Sequence, residues 1–259
     1  MLASIPHNLV WSESTGPWKV LHTCKDCQTE QLAKYMRLVV TLMGRAPRDP
    51  LVGEERPSRL FFKLQSSEGV DVLSLAFPEV PWMFLFREPV EVMMSRMGAQ
   101  RIGMEGTHDD VAQKLQQMAG KQAQQVRGGG SPPQAEMRNA KTLAGFCQKA
   151  ITAAHEHPGK GMMVEYTYLP SVMWEEVLPK HFGVKIGLTE RAALLKASEH
   201  YSKAAENSKT AFSDDKEAKH QAASPAVKAA SDKILMPLYQ QLQAMQMWLP
   251  EEQRQTVQS

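Results

Sequence analysis

The sequence predicts an α/β domain: a parallel sheet in a three-layer arrangement flanked by helices, with a helix-rich C-terminal half. Three observations predict it. Short, unbroken apolar runs recur, as expected for strands covered on both faces. Stretches with apolar residues at helical spacing separate them. The chain has 259 residues, 42% of them hydrophobic, which suffices for one large domain with a substantial core.

The strands are Arg59-Leu60-Phe61-Phe62-Lys63, Trp82-Met83-Phe84-Leu85-Phe86 and Met162-Met163-Val164-Glu165-Tyr166, with Leu9-Val10-Trp11 as a fourth. A helix is expected from Glu30 to Leu42, with Leu32, Tyr35, Met36, Val39 and Met43 near one face. Thr107-His108-Asp109-Asp110 reads as a capping start for a second. Further helices are expected from Gln134 to His155 and from Thr189. The last begins at Ser224-Pro225, an N-cap followed by proline at the first helical position. Its apolar stripe runs through Val227, Ile234, Leu238, Leu242 and Met245.

Breaks fall at 44–57, 128–133 and 207–215. The run Gly128-Gly129-Gly130-Ser131-Pro132-Pro133 reads as a surface linker. It follows no strand, and no Lys-Ser/Thr pair opens the next helix, so it does not fit a phosphate loop. The expected organisation is a single domain over 1–247, a lid-like helical insertion at 98–134 and a disordered tail at 248–259. The 16 methionines fit buried filler at helical spacing better than an adaptable binding surface.

Thirty basic and 28 acidic residues give a net charge of +2, which carries no footprint for nucleic acid. Any anion site must be local. No run of 18 apolar residues suits a membrane span, and the first residues lack the basic flank and apolar stretch of a signal peptide. Localisation is left open. The three cysteines, Cys24, Cys27 and Cys147, do not suggest a disulfide framework. Cys24 and Cys27 form a lone CxxC without a second pair for a metal, and read as two cysteines on adjacent helical turns. No metal site is expected.

The chemistry is concentrated where a buried strand ends at Arg87. Pro89 fits the first position of the following helix, and Ser95 lies about two turns into it. Open α/β sheets bind ligands at the carboxyl ends of their strands. A cation there meets the helix N-terminus, whose N–H groups and dipole favour an anion. An Arg fork with a Ser hydroxyl suits a phosphate monoester. The rival reading is a structural Arg87 paired with Glu88 or Glu91.

These residues resemble a known family. Phe86-Arg87-Glu88-Pro89-Val90-Glu91-Val92, with Ser95 eight residues after Arg87, is similar to the 3′-phosphate-binding signature of sulfotransferases. Phe77-Pro78-Glu79-Val80-Pro81-Trp82 resembles the lead-in of a sulfotransferase-like group of bacteria and algae. Val164 to Pro170, His181 to Val184 and Phe212 to Lys219 resemble its later segments. The resemblance spans roughly residues 8 to 245.

It implies a P-loop NTPase-like fold. It also implies transfer of a sulfuryl group from 3′-phosphoadenosine-5′-phosphosulfate (PAPS) to a hydroxyl or amine of a small-molecule, glycan or peptide acceptor. Arg87 and Ser95 would hold the donor's 3′-phosphate. Glu13, in the turn Trp11-Ser12-Glu13, would be the general base, against the rival reading of an exposed turn glutamate. Lys63 would stabilise charge on the transferred group, against that of a snorkelling surface lysine. Gln65, Ser66 and Ser67 follow at the same sheet edge.

The sequence departs from the family's pattern in one respect. The glycine-rich loop that cradles the donor's 5′-phosphosulfate is not found, and the resemblance starts near Asn8, so the domain is expected to be incomplete at its N-terminus. Two alternatives stay open: an enzyme that transfers when upstream residues are present, and a non-catalytic remnant acting as a binding or interaction protein.

Overall fold

The computed structural model describes residues 2–5, 7–24, 26–45, 58–102, 134–198 and 216–249, with 98–102 described by backbone alone. The expected helix at Thr107, the linker at 128–133, most of the insertion at 98–134 and residues 250–259 of the tail lie outside them.

The strands read from the sequence form, and helices that it does not mark lie between them, including Thr15–Thr23 and Val70–Ala76. Strand β1 (Asn8–Ser12) is followed by α1 (Thr15–Thr23) and α2 (Thr29–Met43), then β2 (Arg59–Lys63) and α3 (Val70–Ala76). Strand β3 (Trp82–Phe86) leads into α4 (Pro89–Ile102), then α5 (Gln134–Glu156) and β4 (Gly161–Glu165). A π-helical segment (Met173–His181) precedes α6 (Leu188–Ser198) and α7 (Lys216–Ala222). Then α8 (Pro225–Ala230) runs through a π-helical turn (Ser231–Leu235) into α9 (Met236–Ala244). Ser224 caps α8 as its sequence predicts, its Oγ accepting from Val227 N at 3.3 Å.

The fold is broadly α/β and helix-rich. Its described strands form two two-stranded sheets, β1 with β2 and β3 with β4. β1 and β2 are parallel, with Asn8 opposite Arg59 and Ser12 opposite Lys63. The expectation of strands covered on both faces fails for β2, where Leu60 and Lys63 are exposed, and for Leu85 in β3. Unbroken apolar runs do not separate a doubly covered strand from a half-covered one. β4 is buried from Met162 to Glu165.

The chain divides into two compact units. The first comprises Met1–Phe84, Lys149–Met162 and Pro170–Ser198. One core here joins Ala33 and Met36 of α2 to Val72 and Ala76 of α3, with Val20 and Leu21 of α1 packed against it. Met36 is fully buried, whereas Tyr35, expected on the inner face of α2, is 43% exposed. Leu32 and Met36 face inward as expected, joined by Ala33 and Val40.

The second unit comprises Leu85–Gln148, Met163–Leu169 and Glu199–Ser259. Its core takes Val90, Met93, Met94 and Met97 from α4, Ala140 and Leu143 from α5, and Val227, Ala230 and Leu235 from the C-terminal helices. These methionines are filler, as their spacing predicts. The packed chain runs on through Trp248, whose Nε1 donates to Met163 O at 2.8 Å, to the buried Leu249. Among the described residues, no helix is long and apolar enough to cross a membrane.

The cysteine reading needs correction. α1 ends at Thr23, and Cys24 has extended backbone (φ −103°, ψ 101°). Cys24 and Cys27 therefore lie in the turn between α1 and α2 rather than on successive helical turns. Their Cα atoms are 5.4 Å apart and the two sulfurs are bonded. Cys147 is free.

Replacing Met36 by Ala leaves a cavity under α2, so unfolding by denaturant should show a loss of ~2–5 kcal/mol. Leu38→Ala, at a position 62% exposed on the same helix, should change stability by less than about 0.5 kcal/mol. Equal losses would contradict the packing described.

Candidate functional site

Arg87 directly follows β3, and α4 begins two residues later at Pro89. Glu88 closes that helix start. Its Oε2 accepts from the backbone N of Glu91 at 2.9 Å, satisfying one of the unpaired first-turn donors. The carboxylates of Glu88 and Glu91 both sit where α4's dipole favours negative charge.

The Arg87 guanidinium donates from Nη2 to Glu91 Oε2 at 2.9 Å. Its plane lies over the Tyr166 ring, 4.1 Å from the centroid. Its Nε is buried without a hydrogen-bond partner among the described residues. The Arg87 side chain is 25% exposed, that of Glu91 only 6%. Lys216 of α7 brings its ammonium to 3.9 Å from Glu91 Oε1, and His220 Nε2 lies 3.0 Å from Glu88 Oε2. Ser95 is one helical turn beyond Glu91, so both project from the same face of α4. Ser95 is half-buried.

A third carboxylate, the buried Glu165, stands at the end of β4. Tyr239 OH donates to its Oε1 at 2.6 Å and Gln243 Nε2 to its Oε2 at 3.2 Å. Its own backbone N donates to Gln246 Oε1 at 2.9 Å. The Tyr239 ring packs edge-on against Phe86, the residue before Arg87. Burial pushes the Tyr239 phenol far above its ordinary value, and the nearby carboxylates of Glu165, Glu88 and Glu91 add to that.

In the first unit, Glu13 and Lys63 meet. Lys63 ends β2, and Glu13 follows β1 at the carboxyl end of the same parallel pair. Glu13 N donates to Lys63 O at 2.8 Å, and Lys63 Nζ donates to Glu13 Oε1 at 2.5 Å. Glu13 has φ 54°, a left-handed conformation uncommon for a non-glycine residue. It lets the chain turn from β1 into Ser14, whose Oγ caps α1 by accepting from Gly16 N. Both side chains are largely exposed, so the ion pair itself adds little stability.

The structure thus brings Glu13 to Lys63 in one unit and sets Arg87 beside Glu91, one turn from Ser95, in the other. The sequence names Glu91, alongside Glu88, as a rival structural partner of Arg87, and the structure pairs Arg87 with Glu91. Tyr166, Lys216, His220 and Tyr239 carry no such local signal, because packing brings them from distant segments.

Glu88, Glu91 and His220 place one ligand atom each within 4.8 Å of one another. A dication there would compete with Arg87 and Lys216 for Glu91, and would replace the direct contact between His220 and Glu88 by binding both.

No family model matches the chain, and neither the curated proteins nor the solved structures compared with it gave a match.

The Tyr239 phenol gives a pH test. Its folded value is raised above the unfolded value near 10. The stabilising contribution is therefore intact below about pH 10 and is lost as pH rises above it, where the unfolded chain releases the proton first. Unfolding free energy measured from pH 8 to 12 should fall more steeply in the wild type than in Tyr239→Phe. Parallel curves would show that Tyr239 is not buried against these carboxylates.

Proposed function

We propose that this chain is a sulfotransferase-like protein that binds the 3′-phosphate of PAPS through Arg87 and Ser95. The observation that carries the reading is the position of Arg87: a guanidinium just past the end of β3, beside α4's N-terminus, on the helix face that also presents Ser95. In the observed state Glu91 occupies this guanidinium. A phosphate entering the site takes the carboxylate's place and offers oxygens to both Nη2 and the unpartnered Nε, the two-point grip that arginine makes with oxyanions. Tyr166 holds the guanidinium plane from one side. Ser95 supplies the further hydroxyl. A three-layer, P-loop NTPase-like arrangement belongs to the same reading.

In that reading Glu13 accepts the proton of an acceptor hydroxyl or amine as the sulfuryl group moves in line. Lys63 stabilises charge on the transferred group. Their exposed carboxyl-edge position supports these roles. The Glu13 carboxylate must first leave the Lys63 ammonium.

A second reading is favoured by the 2.9 Å pair between Arg87 and Glu91 itself. There, Arg87 is structural, and the chain is a non-catalytic binding or interaction protein.

Thermal shift and calorimetric titration with adenosine 3′,5′-bisphosphate separate the two. The sulfotransferase reading predicts binding that weakens about 10- to 100-fold in Arg87→Ala, the loss of a charged hydrogen-bond partner. It also predicts tighter binding in Glu91→Gln, which frees the guanidinium. Equal binding by wild type and Arg87→Ala would leave only the structural role.

A further inference from the structure

The Cys24–Cys27 bond joins the C-terminal end of α1 to the approach to α2. Two features set it apart from a structural staple. First, it closes a loop of only four residues, which restrains the unfolded chain less than any long-range bridge. α1 and α2 are in any case already held by Val20 and Leu21 packing against the core of Ala33 and Met36. Second, both cysteines are only partly buried.

The two sulfurs also sit in opposite fields. Cys24 is the C-cap of α1, at the negative end of a nine-residue helix. Cys27 lies two residues before the first turn of the 15-residue α2. The cap position there, Gln28, makes no side-chain hydrogen bond to α2's free N–H groups. A developing negative charge is favoured at Cys27 and disfavoured at Cys24.

From this we infer that Cys24 and Cys27 form a thiol–disulfide exchange site with a fixed polarity, reduced by a dithiol. An external thiolate attacks Cys24 Sγ. The bond to Cys27 breaks, and its electron pair leaves on Cys27 as a thiolate, the better leaving group. The resulting mixed disulfide on Cys24 is resolved by the reductant's second thiol, which forms the reductant's own disulfide and releases Cys24. Two electrons and two protons pass to the protein, giving two thiols. In reverse, Cys24 attacks a disulfide substrate, and the Cys27 thiolate then displaces the partner's sulfur from Cys24, re-forming the Cys24–Cys27 bond. Each turnover breaks or re-forms the covalent link between the end of α1 and the approach to α2. This inference does not depend on PAPS binding.

The test uses the full chain, and its central measurement requires no variant. The protein is reduced with dithiothreitol, freed of reductant and treated with limiting iodoacetamide, and the modified positions are read by peptide mass spectrometry. Cys147 is the internal control: burial pushes its thiol up to about 11, so it should react slowly. Cys27 should alkylate at least about tenfold faster than Cys147 and clearly faster than Cys24. Faster reaction at Cys24, or a Cys27 no more reactive than Cys147, overturns the inference. As a second arm, oxidised glutathione should leave a lasting mixed disulfide on Cys24 in Cys27→Ser. In the wild type, Cys27 should displace that adduct. An equal lasting adduct in the wild type would likewise overturn it.

Discussion

The second unit is organised around the pairing of Arg87 with Glu91. A guanidinium follows a strand, and a carboxylate sits one turn into the next helix. Each would be costly to bury alone, and together they fix how the strand hands over to the helix. The surroundings answer to this pair. Glu88 closes the helix start, His220 and Lys216 bring α7 onto the two carboxylates, and Tyr166 covers the guanidinium. Tyr239 and Gln243 satisfy the buried Glu165, so that no carboxylate there lacks a donor.

Charge balance around Arg87 decides what the site can do. Arg87 and Lys216 supply two positive charges, and Glu88 and Glu91 two negative ones. An anion is not drawn in by excess charge; it must exchange with Glu91. Such a site favours a ligand with two strong acceptor oxygens and tight geometry over a loosely held one. The same balance makes the arrangement self-sufficient without ligand, which is why the pair serves equally well as a structural lock.

Much of the fold was legible in the sequence, for identifiable reasons. The strand positions were marked by apolar runs, and Ser224-Pro225 by the chemistry of helix starts. The meeting of Glu13 and Lys63 was not legible in the sequence; it comes from the parallel pairing of β1 with β2. What was not legible depended on long-range packing or on one local dihedral choice. The half-open faces of β2 and β3 are set by which neighbours cover them. The bonded cysteines depended on where α1 stops, since one extended residue at Cys24 turns two helical positions into a turn. The ring of Tyr166, Lys216 and His220 around Arg87 comes from segments 79 to 133 residues away in sequence, where spacing carries no information.

The central claim is that Arg87 and Ser95 grip one phosphate jointly. A double-mutant cycle tests it: dissociation constants of wild type, Arg87→Ala, Ser95→Ala and the double variant, for adenosine 3′,5′-bisphosphate and for adenosine 5′-monophosphate. A shared phosphate predicts a coupling of about 0.5–3 kcal/mol with the first ligand and none with the second. Additive losses with both ligands would mean that the two side chains do not meet on a 3′-phosphate.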